Sequence, residues 1–295
     1  MKILLTGASG LLGSEILRQA KEKKLDVLAP SHKQLDIADA ENVKSYIKKH
    51  SPECIINCAA QASVDICEAD SSACFALNRD GVKNLLEALK DNKKPCAFVQ
   101  ISSSEVFGRV HEGQYKTEGY SEEEFPMPVS AYQKSKAEAE EVTKEYCEKY
   151  PKIFSKFYIA RAGWLFGKGR PTFVEQFTKQ LLTGGEISAV KDQWRTPTWT
   201  KYFAQSLLSL VIGQYESGFY HIASEFKPGE ATTVQVIEEV RSILGEKAKK
   251  ATIKLISRAE VFKVPRAPSN VLKNTKLPKL PYWRDSLREY LQGNA

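Results

Sequence analysis

Tyr132 and Lys136 are the side chains of this sequence best suited to proton transfer. They stand four residues apart in the stretch YQKSK, within a segment of helical periodicity, so both lie on one face of the expected helix. A free phenol, with a pKa of about 10, is a weak acid at neutral pH. A neighbouring ammonium favours the phenolate, so Lys136 is expected to lower the pKa of Tyr132.

A serine cluster supplies a third polar group. The stretch ISSSEVFG (101–108) follows an expected buried strand, and one of Ser102, Ser103 and Ser104 could hydrogen-bond a substrate carbonyl oxygen. Glu105 is either an acid with a chemical role or the residue that opens the next loop. Because strand ends of a parallel sheet meet at one edge, this cluster and the Tyr132 helix are expected to meet there.

A glycine-rich turn follows the first expected strand. TGASGLLG carries Gly7, Gly10 and Gly13 at the opening of the first expected helix. Glycines there let the backbone turn tightly and approach a pyrophosphate, whose charge is favoured at a helix N-terminus. A P-loop is disfavoured because the Gly-Lys-Ser/Thr ending is absent. The turn therefore predicts dinucleotide binding.

The end of the second expected strand bears on the choice of cofactor. It reads Pro30-Ser31-His32-Lys33, and the first carboxylate follows only at Asp36. An acidic residue there would hold the adenosine ribose of NAD, whereas a hydroxyl and basic groups suit a 2′-phosphate. The sequence thus predicts NADPH, with NADH as the alternative and Lys33 as a solvated loop residue in that case.

Short apolar runs alternate with amphipathic stretches over the first 165 residues. Strands are expected at 2–7, 26–30, 53–60, 96–102 and 156–166, and helices at 11–23, 39–50, 73–92 and 130–150. Further on, helices are expected at 172–183, 201–215, 232–245 and 282–291, and strands at 186–192 and 218–224. This alternation predicts an α/β fold, a Rossmann-type doubly wound parallel sheet with a smaller interleaved C-terminal α/β domain.

The domain boundaries follow from this pattern. Residues 1–167 with about 200–225 are expected to form the dinucleotide-binding domain. About 168–199 with 226–295 are expected to form the substrate-binding domain.

Composition excludes several classes of protein. The chain has 295 residues, 42% of them hydrophobic and 27% charged, as in an ordinary globular protein. No apolar run suits a membrane span or a secretory signal. The net charge of +7 comes from scattered lysines without a basic stripe, so no nucleic-acid partner is expected. The six cysteines form no C-x-x-C pair, which predicts reduced, mostly buried thiols in a cytoplasmic protein.

The chain resembles the extended short-chain dehydrogenase/reductases along nearly its whole length. Within them it is most similar to the dTDP-4-dehydrorhamnose reductase family. The segments that carry the resemblance are LDIAD (35–39), CAAQASVDICEAD (58–70), ISSSEVFG, SAYQKSK (130–136), RAGWLFGKG (161–169), DQWRTPT (192–198), GFYHIAS (218–224), RAPSNVLKNTKL (266–277) and YWRDSLREYL (282–291).

The resemblance implies roles for particular residues. It selects Ser103, with Tyr132 and Lys136, as the catalytic set. The implied cofactor-binding residues, besides Tyr132 and Lys136, are Gly7, Ser9, Gly10, Leu11, Leu12, Asp36, Ile37, Ala59, Ala60, Gln61 and Ala62. The implied substrate-binding residues are Ser103, Ser104, Val64 and Trp164. Trp164 could equally be a core residue, because its neighbours are apolar.

The implied activity is NADPH-dependent reduction of a 4-keto sugar nucleotide, foremost dTDP-4-dehydro-L-rhamnose. Family members usually have Thr-Asp-Tyr where this chain has Ser103-Ser104-Glu105, so the sugar is left open. The alternatives are a sugar-nucleotide 4,6-dehydratase or epimerase, and a non-catalytic nucleotide-binding regulatory subunit. A homodimer is compatible with the resemblance. Some members dimerise around magnesium, but the final helix lacks a matching acid, so no metal is expected.

Overall fold

The computed structural model describes residues 1–92, 94–108, 115–213, 215–248 and 251–293. In chain order the strands are β1 (Lys2–Thr6), β2 (Asp26–Leu28), β3 (Cys54–Asn57), β4 (Cys96–Ser103), β5 (Phe154–Ala162), β6 (Trp164–Phe166), β7 (Gly185–Val190), β8 (Pro197–Trp199), β9 (Gly218–Ile222), β10 (Ser224–Glu225), β11 (Ala251–Ile256) and β12 (Leu280–Tyr282). The α-helices are α1 (Leu11–Glu22), α2 (Ala40–His50), α3 (Val64–Ala69), α4 (Ser71–Phe75), α5 (Gly81–Ala88), α6 (Ala131–Lys149), α7 (Phe173–Thr183), α8 (Thr200–Ile212), α9 (Thr233–Leu244), α10 (Arg258–Val261) and α11 (Trp283–Gln292).

A six-stranded parallel sheet forms the centre of the fold. Its strands lie in the order β2-β1-β3-β4-β5-β9. The order reverses between β1 and β3, and in such sheets ligands bind in the crevice at that reversal, outside the carboxyl ends of the strands. The predicted fold class is confirmed, and the strand expected near 218–224 does join this sheet.

Alternating side chains of β1 show that helices cover both faces of the sheet. Ile3 and Leu5 pack with α1 and α8, whereas Leu4 packs with α2, α5 and α6. All three side chains are at most 1% exposed. Burial on both faces explains why these strands are continuous apolar runs rather than alternating ones.

The C-terminal part packs around a separate apolar cluster. Its core includes Phe166, Trp199 and Trp283 with residues of α7, α9 and α11. Two small parallel pairs, β6 with β8 and β7 with β11, frame it. The domain boundaries given above stay a prediction.

Several boundaries differ from the sequence-based ones. The predicted helix 73–92 is interrupted by a π-helical turn at Ala76–Asp80. A short helix that was not predicted, α3, precedes it, and Ser63 caps α3 because its Oγ accepts the Ile66 amide at 3.3 Å. The predicted strand 156–166 breaks at Gly163, where a Cβ would lie 3.1 Å from the Thr196 carbonyl oxygen. Strand β11 was not predicted.

The expectation of reduced cysteines is wrong for one pair. Cys67 and Cys74 form a disulfide that joins α3 to α4. Asp70 ends α3 and caps α4, and the two Cα atoms lie 5.1 Å apart, within reach of a disulfide. Cys54, Cys58, Cys96 and Cys147 are free thiols. No helix among the described ranges is long and apolar enough to cross a membrane.

A buried polar brace connects β9 to distant segments. His221 Nδ1 lies 2.9 Å from the Lys273 carbonyl oxygen, and its Nε2 lies 3.3 Å from Arg161 Nη1. Arg161 in turn donates to both carboxylate oxygens of Glu140, at 2.9 and 2.8 Å. A neutral imidazole fits these partners, because Nδ1–H can donate to the carbonyl while Nε2 accepts from the guanidinium.

Stability is therefore expected to fall on mild acidification. Burial, with Arg161 alongside, lowers the pKa of His221 from 6.5 to about 4, while the Glu122 carboxylate opposes the shift. Between these pH values the imidazole is protonated in the unfolded chain but neutral in the folded one. The free energy of unfolding therefore decreases by up to roughly 1.4 kcal/mol per pH unit as the pH falls from 6.5 towards 4. Denaturant unfolding of wild type and His221→Gln across this window checks it. Parallel curves for the two proteins would contradict the assignment.

Candidate active site

The glycine turn between β1 and α1 lies at the reversal of the sheet. Gly7 has φ +65°, and a Cβ there would lie 2.6 Å from the Ala59 amide nitrogen. A Cβ on Gly13 would lie 2.2 Å from the Gly7 carbonyl oxygen. Gly10 precedes α1 and has no side chain to cap it, so the first amides of α1 are available to an anion. The turn fits a dinucleotide pyrophosphate.

Tyr132 is held at the start of α6. Ser130 and Gln133 form a capping box, with the Gln133 amide 3.4 Å from Ser130 Oγ and the Ser130 amide 3.1 Å from Gln133 Oε1. Tyr132 is 7% exposed and packs with the Cys67–Cys74 disulfide. The capping box therefore fixes the start of the helix, and the disulfide packs against the phenol ring.

Lys136 lies one turn further along α6 and is also buried. Its ammonium donates to the Ile101 carbonyl oxygen at 2.6 Å. Burial lowers the pKa of Lys136 to about 8, and Glu140 and Cys58 oppose the shift. At neutral pH the group is therefore still largely a cation.

Ser103 ends β4 beside Tyr132. Its Oγ accepts the Glu105 amide at 3.2 Å. Burial raises the pKa of Tyr132 to about 12, the hydrogen bond with Ser103 opposes this rise, and the Glu105 carboxylate adds to it. The expectation that Lys136 brings this pKa below its usual value is wrong in this arrangement, because burial outweighs the other influences. A phenol with such a pKa stays protonated at neutral pH and can donate its proton.

One cavity of about 630 Å³ collects most of the predicted site residues. Those that line it are Gly7, Gly10, Leu11, Leu12, Ala60, Ala62, Val64, Ser103, Ser104, Tyr132, Lys136 and Trp164. A neighbouring cavity of about 240 Å³ is lined by the predicted residues Gly7, Ser9, Gly10, His32, Ile37, Ala59 and Ala60. Because Gly7, Gly10 and Ala60 line both, the two cavities form one groove across the glycine turn.

Four predicted cofactor residues line neither cavity. Ser31 Oγ lies 3.0 Å from Gln34 Oε1, and Lys33 is exposed. Asp36 accepts the Ala38 amide at 3.0 Å and lies 3.8 Å from His32. The Gln61 backbone amide donates to Asn78 Oδ1 at 2.8 Å. Their roles stay predictions.

Comparison with known proteins identifies the family. The model of the RmlD substrate binding domain matches residues 1–295. The chain belongs to this family. A spore coat polysaccharide biosynthesis protein, SpsK, of Bacillus subtilis is 30% identical over 299 residues, covering 100% of this chain and 98% of the relative.

Two solved structures resemble the whole chain. The crystal structure of a dTDP-4-dehydrorhamnose reductase from Clostridium acetobutylicum has a TM-score of 0.85 and 30% identity, covering 100% of this chain and 99% of the other. A dTDP-4-dehydrorhamnose reductase from Bacillus anthracis in complex with NADP has a TM-score of 0.85 and 24% identity, with the same coverage, and shows the fold.

In this RmlD-family chain, sequence reasoning missed two arginines that line the cavity together with Trp164. Arg195 and Arg266 both line it, and the Arg195 guanidinium lies 4.1 Å from the Trp164 ring centroid. Burial lowers the pKa of Arg195 to about 10, which Glu105 opposes and Arg266 reinforces. Arg195 Nε and Arg266 Nη1 are buried and meet no hydrogen-bond partner within the described ranges. The site therefore fits an anionic ligand.

The signal for both arginines was present in the sequence. Each stands inside a quoted segment, DQWRTPT or RAPSNVLKNTKL, as a cation among prolines and polar residues far from any helical pattern. Arg170, which lines both cavities, was missed in the same way. Among the described residues no group of three or more His, Cys, Asp or Glu side chains is arranged to hold a metal ion.

Proposed function

We propose that this chain is an NADPH-dependent reductase of a 4-keto sugar nucleotide, with dTDP-4-dehydro-L-rhamnose the foremost candidate. The single observation that carries the proposal is the cavity in which Ser103, Tyr132 and Lys136 meet the glycine turn. The 30% identical Clostridium acetobutylicum structure, named dTDP-4-dehydrorhamnose reductase, supports the substrate class.

The cofactor, when bound, supplies the hydride that reaches the ketone carbon. Ser103, whose Oγ already accepts from the Glu105 amide, still has its own O–H to donate to the ketone oxygen. Tyr132 gives that oxygen its phenolic proton, which solvent then replaces, so the ketone becomes an alcohol. Lys136, whose ammonium donates to the Ile101 carbonyl oxygen beside the same cavity, would hold the cofactor ribose.

NADPH rather than NADH is supported by basic residue types at the smaller cavity. His32 and Arg170 line it, and such side chains can bind a 2′-phosphate. Ser102 Oγ is buried at the larger cavity without a hydrogen-bond partner in the described part of the chain, so a dinucleotide of either kind could supply one. The reductase with bound NADP from Bacillus anthracis has the same fold.

The diphosphate of the sugar nucleotide is assigned to Arg195 and Arg266. Both guanidiniums have unsatisfied buried N–H groups, and phosphate oxygens are their natural acceptors. The adjacent Trp164 offers an apolar surface to the rest of the nucleotide. The dehydratase alternative is disfavoured because both carboxylate oxygens of Glu105 accept side-chain amides, so Glu105 is no free base.

The decisive assay follows NADPH oxidation with dTDP-4-dehydro-L-rhamnose. We expect absorbance at the reduced nicotinamide band to fall in proportion to the alcohol formed, and NADH to serve less well. No turnover by wild-type protein that binds NADPH, across a panel of 4-keto sugar nucleotides, would reject the proposal. Tightly bound, recycled NAD in the purified protein would instead favour the dehydratase.

A further inference from the structure

Glu105 connects three parts of the candidate site. Its Oε2 accepts from Gln133 Nε2 at 3.1 Å, and its Oε1 accepts from Asn270 Nδ2 at 2.7 Å. Its backbone amide donates to Ser103 Oγ at 3.2 Å. One residue thus contacts the end of β4, the start of α6 and the C-terminal segment.

The Gln133 side chain has only one orientation that satisfies its neighbours. Its Oε1 accepts the Val129 amide at 2.8 Å and the Ser130 amide at 3.1 Å, so its Nε2 must face Glu105. The side chain is fully buried. Gly108 makes room for it, since a Cβ at that position would lie 2.0 Å from Gln133 Oε1. The N-terminus of α6, next to Tyr132, therefore requires an acceptor at position 105.

Asn270 brings the substrate end of the cavity into the same network. Asn270 is 2% exposed, and its backbone amide donates to the Trp194 carbonyl oxygen at 3.2 Å. The Trp194 amide donates to the Pro268 carbonyl oxygen at 2.8 Å. Asn270 is thus tied to the residue preceding Arg195, and it lies in the segment that begins at Arg266.

We propose that Glu105 is a positioning residue that fixes Tyr132 relative to the segment 266–270 by bridging Gln133 and Asn270. This inference rests on the proposed reduction. A displacement of the proton donor from the carbonyl oxygen by about 1 Å is enough to slow such a step by roughly 100-fold. The bridge spans the gap between the helix that carries the donor and the segment that binds the substrate.

The test compares four variants. Glu105→Ala removes both acceptor oxygens. Glu105→Gln replaces one of them with an NH2 group, which then faces the NH2 group of Gln133 or of Asn270 and cannot accept its hydrogen bond. The exchange variant Glu105→Gln/Gln133→Glu restores the bridge, because the new carboxylate at 133 accepts the Val129 and Ser130 amides and the new amide at 105 donates to it. Glu138→Gln, on the solvent side of α6 and paired with Arg79 at 3.0 Å, is the matched control.

We expect kcat to fall roughly 10- to 100-fold in both single variants at Glu105, with a much smaller change in KM. The exchange variant should recover most of this loss, and Glu138→Gln should match the wild type. Unchanged kcat in Glu105→Ala, or no recovery in the exchange variant, would overturn the proposal.

A second measurement needs no turnover. Amide hydrogen exchange of the NADPH-bound protein should be faster in Glu105→Ala than in wild type at both 129–133 and 266–270. Equal exchange at these segments would refute the bridge whatever the substrate. Inactivity of the wild type with all 4-keto sugar nucleotides would refute only the proposed function, because the exchange data would still report on the bridge.

Discussion

Tyr132→Phe is expected to lose about 10²- to 10⁴-fold in kcat while it still binds NADPH. The phenolic proton is the one that the substrate oxygen needs, and phenylalanine keeps the ring but not the proton. The ring fills the same space beside Val64 and the Cys67–Cys74 disulfide, so the cavity keeps its shape. Steady-state NADPH oxidation gives kcat, and quenching of protein fluorescence gives NADPH affinity.

Tyr146→Phe is the matched control for this change. Tyr146 lies on the same helix, and its hydroxyl bonds Glu87 rather than any residue of the cavity. Its loss should leave kcat at the wild-type value. A Tyr132→Phe enzyme with more than about a tenth of wild-type kcat would remove Tyr132 from the role of proton donor.

Gly13→Ala is expected to lower the free energy of unfolding by about 3 kcal/mol and to abolish NADPH binding. The added Cβ would lie 2.2 Å from the Gly7 carbonyl oxygen and 2.9 Å from Ala8 Cα. Both are backbone atoms of the turn, so α1 must move away from the strand end to relieve the overlap. Denaturant unfolding and NADPH titration measure the two effects.

Gly10→Ala is the graded comparison within the same turn. Gly10 has φ −76°, which any residue adopts, and its added Cβ would lie 3.2 Å from the Gly7 carbonyl oxygen. We expect its unfolding free energy to drop by less than about 1 kcal/mol. Equal losses at the two positions would show that close approach at Gly13 is not the cause.

The nucleotide half of the fold was predictable because its signals are local. The turn of Gly7, Gly10 and Gly13, the apolar strands and the Tyr132–Lys136 spacing each lie within a few residues, and their periods distinguish strand from helix. Once the strands are known to form a parallel sheet, the residues at their carboxyl ends are expected at the same edge of that sheet. Of the predicted catalytic set, all three side chains line one cavity.

The end of the cavity next to Trp164 could not be predicted from local patterns, although both arginines stand in segments that carry the resemblance, because tertiary packing assembles it. Arg195, Arg266 and Asn270 reach the cavity from loops that have no periodic pattern, and Glu105 and Asn270 are 165 residues apart. The disulfide was missed for a related reason. Cys67 and Cys74 come together across a break between α3 and α4 at Asp70, and the apolar pattern does not signal that break.

The buried brace at His221 also makes one edge of the central sheet depend on a segment far along the chain. Strand β9 closes one edge of the central sheet, yet its His221 is held by the Lys273 carbonyl oxygen. Glu122 accepts the His221 amide at 3.3 Å and the Thr275 hydroxyl at 2.6 Å. If the segment that contains Lys273 and Thr275 were displaced, the buried His221 and Glu122 would lose these partners, at the cost of leaving polar groups unpaired in the core.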